Sequence, residues 1–200
     1  MTPSRPPRWV LASKALLAAL LTCGALFPQV GGFEGKGMEY RLPIFLAPAL
    51  VVPVCWLRRR TTYPVALDAA LTLPFLFDTA ANAFGLYDQF DRTDDVLHFV
   101  NWFVLVGGIA VTLTIKVAPM RTPPWLVWLA AAGIGAAAAI CWEVAEYAVM
   151  RAGVGGLSLT YSDTLGDLVL STTGGASGAW AALHWLVSPS FGDRPGHNRL

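Results

Sequence analysis

Six long apolar stretches, separated by short polar connections, decide most of what this chain can be. They run from roughly Trp9 to Val30, Tyr40 to Leu57, Val65 to Tyr87, Val96 to Val117, Pro124 to Met150 and Thr164 to Val187. Each is close to the ~20 residues a helix needs to cross a bilayer. In hydrocarbon a spanning segment must satisfy its own backbone N–H and C=O groups, and a helix does so. Only 14% of the residues are charged, against about 25% in a soluble domain. The sequence therefore predicts an all-α, polytopic transmembrane helix bundle of about six spans. It forms one domain over residues 9–188, between a basic, Pro-rich segment (1–8) and a polar tail (189–200). The first stretch reads as a retained helix and not as a removed signal peptide. Pro48 and Pro53 predict kinks in the second stretch and Pro74 in the third.

The basic residues set the orientation. With six spans, both termini share a side with Arg5, Arg8, Lys14, Arg58, Arg59, Arg60, Lys116, Arg121, Arg194 and Arg199. Lys36, Arg41, Arg92 and Arg151 fall on the other. Positive charge is retained on the cytoplasmic side, so both termini are expected in the cytoplasm. The connection Tyr87–Asp95 is then extracytoplasmic.

That orientation brings most of the acids to one depth. Asp78 falls in the outer half of the third stretch, and Asp94, Asp95 and His98 open the fourth. Glu143 and Glu146 close the fifth, and Asp163 and Asp167 open the sixth. Ionisable groups inside a membrane are expensive and generally face a cavity, pair with one another or mark a pathway. Helical spacing supports convergence. Asp78 and Asn82, Asp94 and His98, and Asp163 and Asp167 are four apart, while Glu143 and Glu146 are three apart. Asn101 and Tyr147 extend two of these faces. Local bases are few, with Arg92, Arg151 and His98 the nearest. Crowded carboxylates have three resolutions: they keep protons, they bind a cation, or they face water, which suits Asp88, Asp91 and also Asp95. Asp68 is set apart, near the inner end of its segment, where a cytoplasmic base is its expected partner.

Several carboxylates with one His suit a hard divalent cation such as Mg, Mn or Ca better than Zn. The metal candidates are Asp94, His98, Glu143 and Asp167. Cys23, Cys55 and Cys141 form no CxxC pair and read as small buried hydrophobes. His184, beside Trp180 and Trp185, reads as an interfacial anchor. Gly174, Gly175, Ser177 and Gly178 give the sixth stretch a small-residue face for close helix packing, with Gly133, Gly135 and the alanines of the fifth as its expected partner. Near-zero net charge, with no basic block, gives nucleic-acid binding no support.

The same residues carry a resemblance. Asp94-Asp95-Val96-Leu97-His98-Phe99, Glu143-x-x-Glu146 and Asp167-x-x-x-Ser171-x-x-Gly174-x-x-x-Gly178 resemble the VanZ-like superfamily of small bacterial membrane proteins. Asp78-x-x-x-Asn82-x-x-Gly85-x-Tyr87-Asp88 is similar to its YjdF-like branch. The resemblance covers roughly residues 65–180. It implies a helical bundle in the bacterial cytoplasmic (inner) membrane with a polar site at the membrane interface and, in the VanZ group proper, a link to glycopeptide-antibiotic resistance. The chain departs from the pattern at Asp95, where relatives often have Lys, at Glu146 for Gln, and at Ser171 for Asn.

Three functions follow from an acidic extracytoplasmic site. One is binding of a cation, a lipid headgroup or a cell-envelope precursor by Asp78, Asn82, Asp94, Asp95, His98, Glu143, Glu146, Asp163 and Asp167. The second is an enzyme acting on a lipid-linked substrate, with Glu143 or Glu146 as general base and His98 as acid. The third is a proton-coupled transporter with Asp78 or Glu143 as carrier, which the lack of a visible inverted repeat disfavours.

Overall fold

A computed structural model describes residues 5–59, 62–117, 122–153 and 159–187. Arg60, Arg121, Arg194, Arg199, His197 and the tail 189–200 lie outside the described residues. The elements are helices α1 (Arg8–Leu26), α2 (Met38–Arg59), α3 (Val65–Ala70), α4 (Leu73–Ala83), α5 (Leu86–Gln89), α6 (Thr93–Thr112), α7 (Pro124–Arg151) and α8 (Tyr161–Val187). A 3-10 turn (Gly31–Phe33) precedes α2, and a π-helical turn (Leu113–Val117) extends α6. Among the described residues there is no strand.

Among the described residues, four helical segments are long and apolar enough to cross a membrane: Arg8–Leu26, Met38–Arg59, Thr93–Lys116 and Pro124–Arg151. α8 has the length, at 27 residues, but its Gly, Ser and Thr residues dilute its hydropathy. The third apolar stretch is not one kinked helix. It breaks at Leu71–Thr72 into α3 and α4, with Pro74 in the first turn of α4. Pro74 has no N–H for the Ala70 carbonyl and its ring crowds that turn, so the helix restarts instead of bending. Gly85, in the left-handed conformation (φ 64°), then turns the chain into α5.

α2 runs through Pro43, Pro48 and Pro53 as one helix. The missing N–H of Pro53 leaves the Ala49 carbonyl without its helical donor, and Lys14 Nζ donates to it. Lys14 also meets Asp68 Oδ1 at 2.7 Å and donates to Thr72 Oγ1 at 2.8 Å. Tyr63 donates to Asp68 Oδ2 at 2.6 Å. Burial and this carboxylate push the Tyr63 phenol up, so it keeps the proton it donates. Lys14 is thus the partner of Asp68, and this knot ties α1, α2 and α3 together.

Leu17, Leu21, Phe33, Met38, Phe45 and Leu76 fill one core, while the seam of α6, α7 and α8 buries mainly small residues. Ala110, Ala131, Ala139 and Ala179 are buried with Trp102 and Val106 between α6, α7 and α8, whereas Leu129, Ile134, Ile140 and Trp180 are exposed. That is the distribution expected where lipid, not water, surrounds the helices. The small-residue face of α8 packs on α6 rather than on α7. A Cβ on Gly174 would lie 2.3 Å from the Phe99 carbonyl oxygen, and one on Gly178 would lie 2.1 Å from that of Phe103. From the fifth stretch Gly135 meets Val106 and Ala131 and Ala139 are buried in the same cluster, while nothing lies within 4 Å of a Cβ placed on Gly133. The three cysteines are free and exposed, not buried. His184 stacks on Trp180, with ring centroids 5.4 Å apart.

Candidate functional site

Helical periodicity builds the site. On α6, Asp94, His98 and Asn101 recur at i, i+4 and i+7 and line one cavity. Asp95 is one residue out of phase. It is exposed and borders a separate small depression with Arg92 and Leu170, so it leaves the predicted cluster. On α8, Asp163 and Asp167 line the cavity and Ser171 follows on the same face. Thr160 caps this helix by accepting the Asp163 N–H at 3.2 Å. On α7, Glu146 lines the cavity and Glu143 lies behind it, 5% exposed. Tyr147 is turned outward, 55% exposed, and takes no part.

His98 is the hub. Its Nδ1 lies 3.0 Å from Ser171 Oγ. Its Nε2 lies 3.8 Å from Asp94 Oδ1 and 3.7 Å from Asp167 Oδ1. Those separations are too long for hydrogen bonds. They lie below the ~4.2 Å that two atoms each about 2.1 Å from one ion can span. One ligating atom from each of Asp94, His98 and Asp167 lies within 4.8 Å of the others, and the same holds for His98, Glu143 and Glu146. Glu143 Oε2 is buried without a hydrogen-bond partner, as is Asn101 Oδ1. Nearly all buried polar groups in folded proteins find partners, so this carboxylate oxygen, in a group with His98 and Glu146, is open to a proton, a donor or a cation. An Nδ1–H donated to Ser171 would leave the Nε2 lone pair facing the acids, as a metal-ligating His requires. Ser171 itself does not line the cavity. It orients the imidazole and has no access to a ligand.

The acids of α4 behave differently. Asp78 accepts from Arg41 Nη1 at 2.8 Å, from Tyr87 OH at 2.5 Å and from Asn82 Nδ2 at 3.3 Å. It is satisfied, and Asn82 braces it. The Tyr87 hydroxyl is the donor in its contact with Asp78. Lys36 pairs with exposed Asp88 at 2.8 Å. The bases at the site are therefore Arg41 and Lys36, both lining the cavity. Arg92 and Arg151 are exposed and line no part of it. Sequence reasoning missed Arg41 as a site residue, although a charge at the very start of an apolar stretch was a usable signal.

The cavity holds about 790 Å³, and its walls include Phe45, Phe75, Trp102 and Trp142. The family model described as "Predicted membrane protein (DUF2238)" matches residues 12–188. The chain belongs to this family. The match spans every helix that contributes to the cavity, so the site lies within the unit that defines DUF2238 proteins. Comparisons with curated proteins and with solved structures give no match.

Proposed function

We propose that this DUF2238 protein binds a divalent cation in a membrane-embedded cavity that faces the extracytoplasmic side. In this reading the chain crosses the bacterial inner membrane six times, with α3 and α4 together forming one crossing and both termini in the cytoplasm. The asymmetry of Lys and Arg supports that orientation. The resemblance to the VanZ-like superfamily, and to its YjdF-like branch, rests on motifs that include Asp94, His98, Glu143 and Asp167.

The observation that carries the reading is the buried Glu143 carboxylate, whose Oε2 has no partner among the described residues and which lies in one group with Glu146 and a His98 whose ring is held by Ser171. Asp94, His98, Glu143, Glu146 and Asp167 supply the ligands. Oxygen donors with one imidazole suit Mn, Mg or Ca. Asp78, paired with Arg41, serves as a wall and not as a ligand or proton carrier.

The test is metal content. Protein stripped with chelator and dialysed against Mn is expected to retain stoichiometric metal that both Glu143→Gln and His98→Ala lose. Wild-type protein that retains no Mn, Mg or Ca overturns the reading. For the topology, a reporter fused at residue 90 is expected to be extracytoplasmic and one at residue 120 cytoplasmic. A cytoplasmic residue 90 would place the site on the wrong side.

A further inference from the structure

The cavity is far larger than a cation requires. Its volume of about 790 Å³ matches sites for small organic molecules, roughly 300–1,000 Å³. Only one region of it is acidic. Phe45, Phe75, Leu97, Trp102, Leu105 and Trp142 line much of the remainder, and such walls offer nothing to a hydrated ion.

The cavity also reaches the outside of the bundle sideways. α2 and α7 do not pack along their lengths. They meet where Phe45 and Trp142 touch, with ring centroids 6.1 Å apart. Tyr40 and Ile44 on α2, and Cys141 and Ala145 on α7, line the cavity and are also exposed. These four form the lips of a mouth between two apolar helices, which the proposed topology sets among acyl chains. Arg41 stands just inside one lip and Glu146 inside the other. The Arg41 guanidinium donates through Nε to the Lys36 carbonyl and through Nη1 to Asp78, which leaves donors of its fork for an anion.

We propose that the cavity receives the phosphate headgroup of a lipid through this mouth, with the lipid's chains lying between α2 and α7. The proposal rests on the cation reading, because the phosphate is shared between the divalent ion and Arg41. A hard ion bound by carboxylates readily takes phosphate oxygens as further ligands. Without the ion, the carboxylates would repel a phosphate. Binding therefore needs three things together: the ion, the arginine and an apolar chain.

Cys141, on the lip, is a built-in reporter. In a Cys23→Ser/Cys55→Ser background it is the sole thiol, and its alkylation by N-ethylmaleimide can be timed in detergent. Dioctanoyl phosphatidic acid at about ten times its Kd, with Mn present, is expected to slow the reaction about tenfold. Dioctanoylglycerol, which lacks the phosphate, and inorganic phosphate, which lacks the chains, are expected to leave the rate unchanged. Chelator and Arg41→Gln/Asp78→Asn, which removes the arginine without stranding its partner, are both expected to abolish protection. Ala145→Trp, at an exposed position, should narrow the mouth and also remove it. Bound Mn is measured on the same samples. Bound Mn without lipid protection overturns the lipid proposal and leaves the cation site standing. Protection that persists without Mn or in the Arg41 variant overturns the shared-phosphate geometry. Equal protection by dioctanoylglycerol refutes headgroup recognition, and protection by inorganic phosphate points to a free anion instead of a lipid.

Discussion

Replacing Glu143 with Gln should stabilise the metal-free protein and remove its response to metal. The carboxylate is 5% exposed, and Oε2 has no donor. A buried acceptor left unsatisfied costs about 1–3 kcal/mol, more when charged. Its ligating oxygen lies within 4.8 Å of that of Glu146. At that separation two full charges repel by about 3.5 kcal/mol at an effective dielectric of 20. Protons or water taken up by the metal-free cluster offset part of this, so a net gain of about 2 kcal/mol is expected for the neutral isostere. In a chain of this size that raises the melting temperature by about 4–8 °C. Saturating Mn acts in the opposite sense. At about 100 times its Kd it should stabilise the wild type by about 2.7 kcal/mol, and the variant hardly at all. The assay is thermal unfolding in detergent at pH 8.5, followed by the fluorescence of the eight tryptophans, with chelator and with Mn. A Glu143→Gln protein that melts below wild type in chelator, or that keeps the full Mn shift, refutes the reasoning.

Further predictions concern the frame that holds the site. Gly178→Ala puts a Cβ 2.1 Å from the Phe103 carbonyl oxygen and should destabilise the α6–α8 seam by about 1–3 kcal/mol. Gly133→Ala, with nothing within 4 Å, should leave the melting temperature unchanged or raise it slightly, since Ala favours helix by about 1 kcal/mol. Lys14→Met strands the fully buried Asp68 and should lower stability by about 3–5 kcal/mol, much of which Lys14→Met/Asp68→Leu should recover. Ser171→Ala should weaken Mn binding about 10–100-fold without abolishing it, because the hydroxyl orients His98 and does not touch the ion. Titration of Mn against intrinsic fluorescence measures that loss, and unchanged affinity would show the hydroxyl to be idle.

Much of the helical frame was legible because lipid imposes a simple rule: each crossing must be long, apolar and hydrogen-bonded to itself. Apolar runs therefore mark α1, α2, α6 and α7 without reference to any neighbour. The interruption between α3 and α4 was harder to see, since hydropathy is continuous across Leu71–Thr72 and only Pro74 signals the restart. Spacing along one helix joins Asp94 to His98 and Asp163 to Asp167, and all four line one cavity. Asp95, counted both with the cluster and among the acids that face water, is exposed because its helical phase turns it outward. Pairing between helices was beyond the reach of such spacing. Nothing along the chain says that Arg41 meets Asp78, or that the glycines of α8 seat on the carbonyls of Phe99 and Phe103 and not on α7.

The sequence by itself determined the membrane class, the helical composition and the gathering of acids near one set of helix ends. Each of these depends on residue type and on distances counted along a single helix. Only the tertiary structure decided which acid is neutralised and which is left bare. Asp78 is closed off by Arg41 and Tyr87, whereas Glu143 faces His98 with an oxygen unclaimed. The physical reason is that the energy of a carboxylate in a low-dielectric interior is set by its nearest donors and cations, and those come from other helices, brought close by packing that no local pattern encodes.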